Sequence, residues 1–139
     1  MRLLSMLLIA GIWLTTAKSG KTQHFIGMHK DEIIQTMKDS HKRLKLNTDV
    51  VNEHYNYLKF EDKINEITVL FFLSDKDTCT NIRESYSYSN LNDVLDRLNK
   101  DYKRAGENAW YYIHKGKKYN VVLKEKEWYF NVSIKPDDE

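Results

Sequence analysis

DEIIQTMKDSHKR (residues 31–43) comes back sixty-one positions later as NDVLDRLNKDYKR (residues 92–104). Ile33 and Ile34 fall on Val94 and Leu95, Met37 on Leu98, His41 on Tyr102, and Lys42-Arg43 on Lys103-Arg104. In each copy the apolar residues recur at three- and four-residue spacing, the stripe of an amphipathic helix. After each copy comes a run of segments rich in aromatic and β-branched residues, the composition of strands. The chain therefore reads as two helix-then-strands units, with an internal repeat over 28–88 and 89–135.

The segment ahead of the first copy carries an address. Met1-Arg2 gives a positive start, Leu3 to Leu14 is a short apolar run, and Thr15-Thr16-Ala17 offers small residues for cleavage. We expect residues 1–17 to be a signal peptide and 18–139 to form one α+β domain in a secreted or periplasmic protein. The apolar run is shorter than the ~20 residues that a membrane span requires, so no stable membrane insertion is expected once the signal is removed. The net charge is +2 with acids and bases interspersed, and no basic block argues for nucleic acid. One cysteine, Cys79, rules out an internal disulfide framework. It reads as a small buried or turn residue.

The spacing predicts a first helix over Lys30–Leu44, followed by strands at Glu53–Glu61, Glu66–Leu73 and Thr80–Tyr88. Within the third of these, Ile82, Glu84, Tyr86 and Tyr88 alternate against Asn81, Arg83, Ser85 and Ser87. A second helix runs to about Lys103, with Ala105-Gly106 expected to end it. Strands follow at Ala109–His114, Lys118–Glu125 and Glu127–Lys135. In the last, Trp128, Phe130, Val132 and Ile134 share one face, and Tyr129, Asn131, Ser133 and Lys135 the other. The links are too short for parallel crossovers. The expected fold is two αβββ units forming one antiparallel sheet of about six strands, with two helices packed on one face. His41 is expected at the edge of the core, like Tyr102. The terminal Asp137-Asp138-Glu139 reads as a solvated tail.

Gly27-Met28-His29-Lys30-Asp31-Glu32-Ile33-Ile34 resembles the opening of the first helix in the SmpA/OmlA outer-membrane small proteins and the related β-lactamase inhibitor protein-like family. These are exported bacterial domains built from tandem helix-plus-strands units. Gly27, Met28, Lys30 and Glu32 match; His29 stands where that motif has Ser or Thr, and no lipid-bearing cysteine follows the apolar run. The resemblance implies a non-enzymatic binding or scaffolding role, with a protein partner docked on the open face of the sheet.

The residues themselves offer no glycine-rich phosphate loop, nucleophile elbow or metalloprotease helix. His24, His29, His41, His54 and His114 are scattered without paired metal-ligand spacing. Asn131-Val132-Ser133 matches a glycosylation acceptor inside an expected strand. No catalytic residue, metal or cofactor is expected. The surplus is aromatic, and Tyr and Trp are enriched at protein–protein hot spots. Tyr111 and Tyr129 fall on the uncovered face and are the expected partner contacts, rimmed by Lys124, Asn131 and Lys135. An alternative is a carrier of a small apolar or sugar ligand, in a pocket between helices and sheet lined by Trp110, Trp128 and Phe130.

Overall fold

The computed structural model describes residues 24–49 and 55–138. The expected signal segment and His54 lie outside the described residues. Two helices, α1 (Lys30–Ser40) and α2 (Leu91–Asp101), are each followed by four strands. These are β1 (Lys45–Leu46), β2 (Tyr57–Asp62), β3 (Ile67–Leu73) and β4 (Cys79–Ser87) after the first helix. After the second come β5 (Lys103–Gly106), β6 (Ala109–His114), β7 (Lys117–Glu125) and β8 (Tyr129–Pro136). All eight form one antiparallel sheet in the order β1-β2-β3-β4-β8-β7-β6-β5. Each unit is thus a four-strand meander, and the two join through their last strands.

The helices keep the sixty-one-residue spacing of the sequence echo, since Lys30 and Leu91 begin them and Ser40 and Asp101 end them. Their buried residues correspond as well: Ile33 and Met37 on α1, Val94 and Leu98 on α2. The turns follow local chemistry. Lys115 and Gly116 both take positive φ, at 48° and 77°. That is the two-residue hairpin whose twist matches the flanking strands, and glycine accepts it without steric cost. Asp62 is buried because it closes the β2–β3 turn, accepting from the backbone N–H groups of Ile64 and Asn65 at 3.2 and 3.1 Å and from Asn65 Nδ2 at 2.7 Å. Those donors hold the Asp62 carboxyl below its usual range.

The expected six-stranded sheet with two helices packed across one face is overturned. The additional strands, β1 and β5, follow directly on the helices, where Lys45-Leu46 and Lys103-Arg104-Ala105-Gly106 carry no apolar alternation to announce them. The first helix stops at Ser40, four residues short of the expected end. Gly106 lies inside β5, and α2 is instead closed by Tyr102 in extended conformation. The helices cannot cover the sheet. Eight strands at about 4.8 Å spacing span about 34 Å, whereas two helices about 10 Å across cover about 20 Å. A cleft opens between the helices over β3, β4 and β8.

The core is continuous across the seam. Phe60, Val69, Phe71 and Ile82 from the first unit meet Val121, Leu123, Phe130 and Val132 from the second. Trp110 is sealed, its Nε1 donating to Asn99 Oδ1 at 2.9 Å while Arg104 stacks over its ring at 5.1 Å. Trp128 was expected on this covered face and is not there. It sits in the β7–β8 turn, 79% exposed, ahead of the first paired residue of β8. His41, expected at the core edge, is exposed although Tyr102 is buried. The C-terminal tail is partly tied down, with Asp137 accepting from Asn120 Nδ2 at 2.7 Å and its N–H donating to the Lys118 carbonyl at 3.0 Å. Leu98 is fully buried where α2 meets the sheet. Leu98→Ala should lower the unfolding free energy by about 2–5 kcal/mol, read as a shift in the urea midpoint with an unchanged slope.

Candidate functional site

β4 carries Ile82, Glu84 and Tyr86 on its covered side. Alternation puts a carboxylate in phase with two apolar residues, so Glu84 is carried under the helices whether or not burial suits it. Arg97, on the flank of α2, answers it. The guanidinium Nη2 lies 2.7 Å from Glu84 Oε2, with the Glu84 side chain 14% exposed. Tyr86 completes the group, its hydroxyl donating to Glu84 Oε2 at 2.8 Å and accepting from Arg97 Nη2 at 3.2 Å. Burial works against the Arg97 charge, but Glu84 and the hydroxyls of Tyr86 and Tyr102 outweigh it, and the guanidinium is held above its ordinary range. Burial, with the Glu84 charge beside it, pushes the Tyr86 hydroxyl well up. Burial pushes Tyr112 up as well. Both phenols stay neutral and able to donate.

This group forms part of the wall of a cavity of about 480 Å³. Its floor is the seam of the sheet, with Val69 and Phe71 from β3, Ile82 from β4 and Ile134 from β8. α1 contributes Met37 and Ser40, and α2 contributes Arg97 and Asp101. Phe25, Tyr102 and Tyr112 supply further rings; Phe25 lies 5.0 Å from Phe71, and Tyr102 stacks on Tyr112 at 5.3 Å. The cavity continues into a wider, more polar groove that shares Ser40, His41, Leu44, Ile67, Tyr86 and Arg97. A volume of several hundred Å³ with aromatic walls and a few convergent polar groups is the ordinary form of a small-molecule site.

The alternative reading expected Trp110, Trp128 and Phe130 to line such a pocket. Instead Trp110 and Phe130 are wholly enclosed in the core, and Trp128 is in solvent. Sequence did hold one signal for the true wall, namely a lone carboxylate, Glu84, on an otherwise apolar alternation. The position of Arg97 opposite it depends on how α2 lies across β4, which no local pattern encodes.

The expected contact residues are split by the sheet. Tyr111 lies in one cross-strand row with Asn120 and Lys135, on the face away from the core. Lys118 Nζ sits 5.2 Å from its ring centroid. Asn131 lies opposite Ser85 and Lys124, accepting from Ser85 Oγ at 2.7 Å. Tyr129, 45% exposed, opens β8 opposite Ser87. It stands six residues from Lys135, about 20 Å along the strand, so Tyr111 and Tyr129 do not form one cluster. Sequence reading passed over an apolar group on this same face, where Tyr57 and Phe72 lie 6.3 Å apart and Arg83 sits 5.5 Å from the Phe72 ring centroid.

His24, His29 and His114 have structural partners. His24 stacks on His114 at 4.0 Å and bonds Tyr112 at 2.8 Å, and burial, then the nearby His114, holds it below its ordinary value. His29 caps α1 by accepting from the Asp31 N–H at 3.2 Å. No group of three potential metal ligands occurs among the described residues, nor any helix long and apolar enough to cross a membrane. Burial pushes the Cys79 thiol up to about 12, which leaves it protonated and unreactive at neutral pH. No protein-family model, curated protein or solved structure matches this chain.

Glu84→Ala strands the Arg97 guanidinium and the Tyr86 hydroxyl, and should cost about 1–3 kcal/mol. The double replacement Glu84→Leu with Arg97→Met removes both charges together and should fall within about 1 kcal/mol of the native protein. Urea denaturation of the two variants side by side checks the difference.

Proposed function

We propose that this chain is a non-enzymatic binding module whose ligand is a small molecule with an apolar body, held in the cleft over the seam of the sheet. The observation that carries this reading is the cavity itself. Close packing closes a core wherever side chains can reach, and here it leaves about 480 Å³ open between α1, α2 and the sheet. Of the polar groups on its wall, Glu84, Arg97 and Tyr86 are engaged with one another. That arrangement suits orientation of a ligand better than transfer of a proton.

The test is uptake of N-phenyl-1-naphthylamine, a neutral probe that brightens in apolar surroundings. Saturable brightening is expected. Ile67 lines both parts of the cleft and is half-buried, so Ile67→Trp should fill it and cut the uptake at least tenfold. Equal uptake by the variant places the probe elsewhere.

A second reading is favoured by the open face of the sheet. There Tyr57, Phe72 and Tyr111 stay half-exposed beside Arg83 and Lys118. Aromatics and arginine together are the usual composition of a protein-contact surface. A protein partner at the cell envelope of an exported chain would dock on this face, as the resemblance to the β-lactamase inhibitor protein-like family implies. Tyr111→Ala and Tyr129→Ala should then weaken pull-down of that partner without moving the unfolding midpoint. Unchanged pull-down by both variants counts against the face.

A further inference from the structure

We infer that the ligand of the cleft is a small organic cation, an amine or quaternary ammonium carried on an apolar, preferably aromatic, body. This rests on the cleft being the binding site and adds the charge of what binds there.

The argument begins with the charge inventory. Two carboxylates and one guanidinium line the inner cavity: Glu84, Asp101 and Arg97. Arg97 is already answered, by Glu84 at 2.7 Å and by the Tyr86 hydroxyl at 3.2 Å. Asp101 lies one turn further along α2 on the same side. An Arg–Asp pair at that four-residue spacing is a common helix contact. Arg97 points to Glu84 instead, and the Asp101 carboxylate has no ion pair or hydrogen bond among the described residues. The outer groove is balanced by itself, with Asp39, Asp62 and Asp93 against Lys42, Arg43 and the shared Arg97, so over both parts together five carboxylates face three cationic side chains. The cleft as a whole therefore favours positive charge.

Position makes Asp101 more telling. It is the last residue of α2, where the helix dipole disfavours an acidic side chain. The matching residue of α1 is the neutral Ser40. Here, then, a carboxylate stands at the less favourable end of its helix, unpaired, on the wall of a cavity. Beside it the walls are aromatic. Phe25, Phe71, Tyr86, Tyr102 and Tyr112 line the same space, with Tyr86 stacked on Phe130 and Tyr112 stacked on both Tyr102 and Tyr119. Ring faces attract cations, by about 0.5–2 kcal/mol per contact and most strongly where water is excluded. An anion would meet the surplus carboxylates and the electron-rich aromatic wall together, and a neutral ligand would leave Asp101 unanswered.

Isothermal titration of the full chain with three ligands of one indole body tests this: tryptamine as the ammonium, tryptophol as the neutral alcohol and indole-3-propionate as the anion. Tryptamine is expected to bind at least tenfold more tightly than tryptophol, with indole-3-propionate weakest. Asp101→Asn should erase the tryptamine advantage while leaving tryptophol unchanged. It should not lower the unfolding midpoint, because it removes an unfavourable charge from the helix end. Equal binding of the three, or a tryptamine advantage that survives Asp101→Asn, overturns the cation assignment. Uptake of N-phenyl-1-naphthylamine that Ile67→Trp abolishes would then keep the cleft as a binding site. Uptake of the probe with no indole ligand bound likewise overturns the cation assignment alone. Loss of both indole binding and probe uptake removes the cleft reading as well.

Discussion

The pairing of β4 with β8 is the constraint on which the molecule turns. Each meander alone would be a four-strand ribbon under a single three-turn helix, with a strand edge left open. Joining the last strands converts two such edges into the interior of one sheet and places Ile82 opposite Ile134, Glu84 opposite Val132 and Tyr86 opposite Phe130. A ladder of main-chain hydrogen bonds satisfies the polar groups that an open edge would present. The remaining edges are short. β1 has two residues, and β5 carries Lys103 and Arg104 and a break in register before Gly106, features that discourage further strand addition.

The seam also determines where the cleft lies. Ile33 and Met37 of α1 and Val94 and Leu98 of α2 join a single core with strand residues of both units, and α1 and α2 both line the cavity. The cavity between them opens over β3 and over the seam strands β4 and β8. A central strip would ordinarily be the driest part of a protein and the last place for a charge. Glu84 is tolerated there because Arg97 reaches down the wall from α2 and Tyr86 supplies a hydroxyl. A pair of this kind adds little net stability, because desolvation offsets most of the attraction. Its effect is geometric: it ties α2 to β4 along the wall of the cleft.

Much of this was legible in the chain. The helical stripes found the buried residues of both helices, because three-and-a-half-residue periodicity survives any tertiary arrangement. Six of the strands were found within a few residues, since their alternation or apolar density is local. β1 and β5 were missed for the opposite reason. They are edge strands with mostly exposed side chains, formed because a neighbour offers free backbone groups, and nothing in Lys45-Leu46 or in Lys103–Gly106 declares that. Trp128 failed because alternation was carried two residues past the start of pairing, into a turn. Tyr111 and Tyr129 each face away from the covered side, yet their separation along the strands depends on register, which sequence alone leaves open. The cleft was illegible for the same reason as Arg97: it is produced by the widths of helices and sheet, not by any residue pattern.

The two units share a backbone plan but not its chemistry, and the difference is concentrated at the cleft. With the sixty-one-residue spacing, Arg97 and Asp101 of α2 correspond to Thr36 and Ser40 of α1. The apolar correspondences, Ile33 with Val94 and Met37 with Leu98, keep their character and their burial. Packing therefore requires the likeness, while nothing in packing requires the difference. A frame whose halves agree in the core and diverge along one shared cavity presents Arg97 and Asp101 from α2 where α1 presents Met37 and Ser40. Such a cavity can orient a ligand that is itself polar at one end and apolar at the other, which an evenly lined cavity could not do.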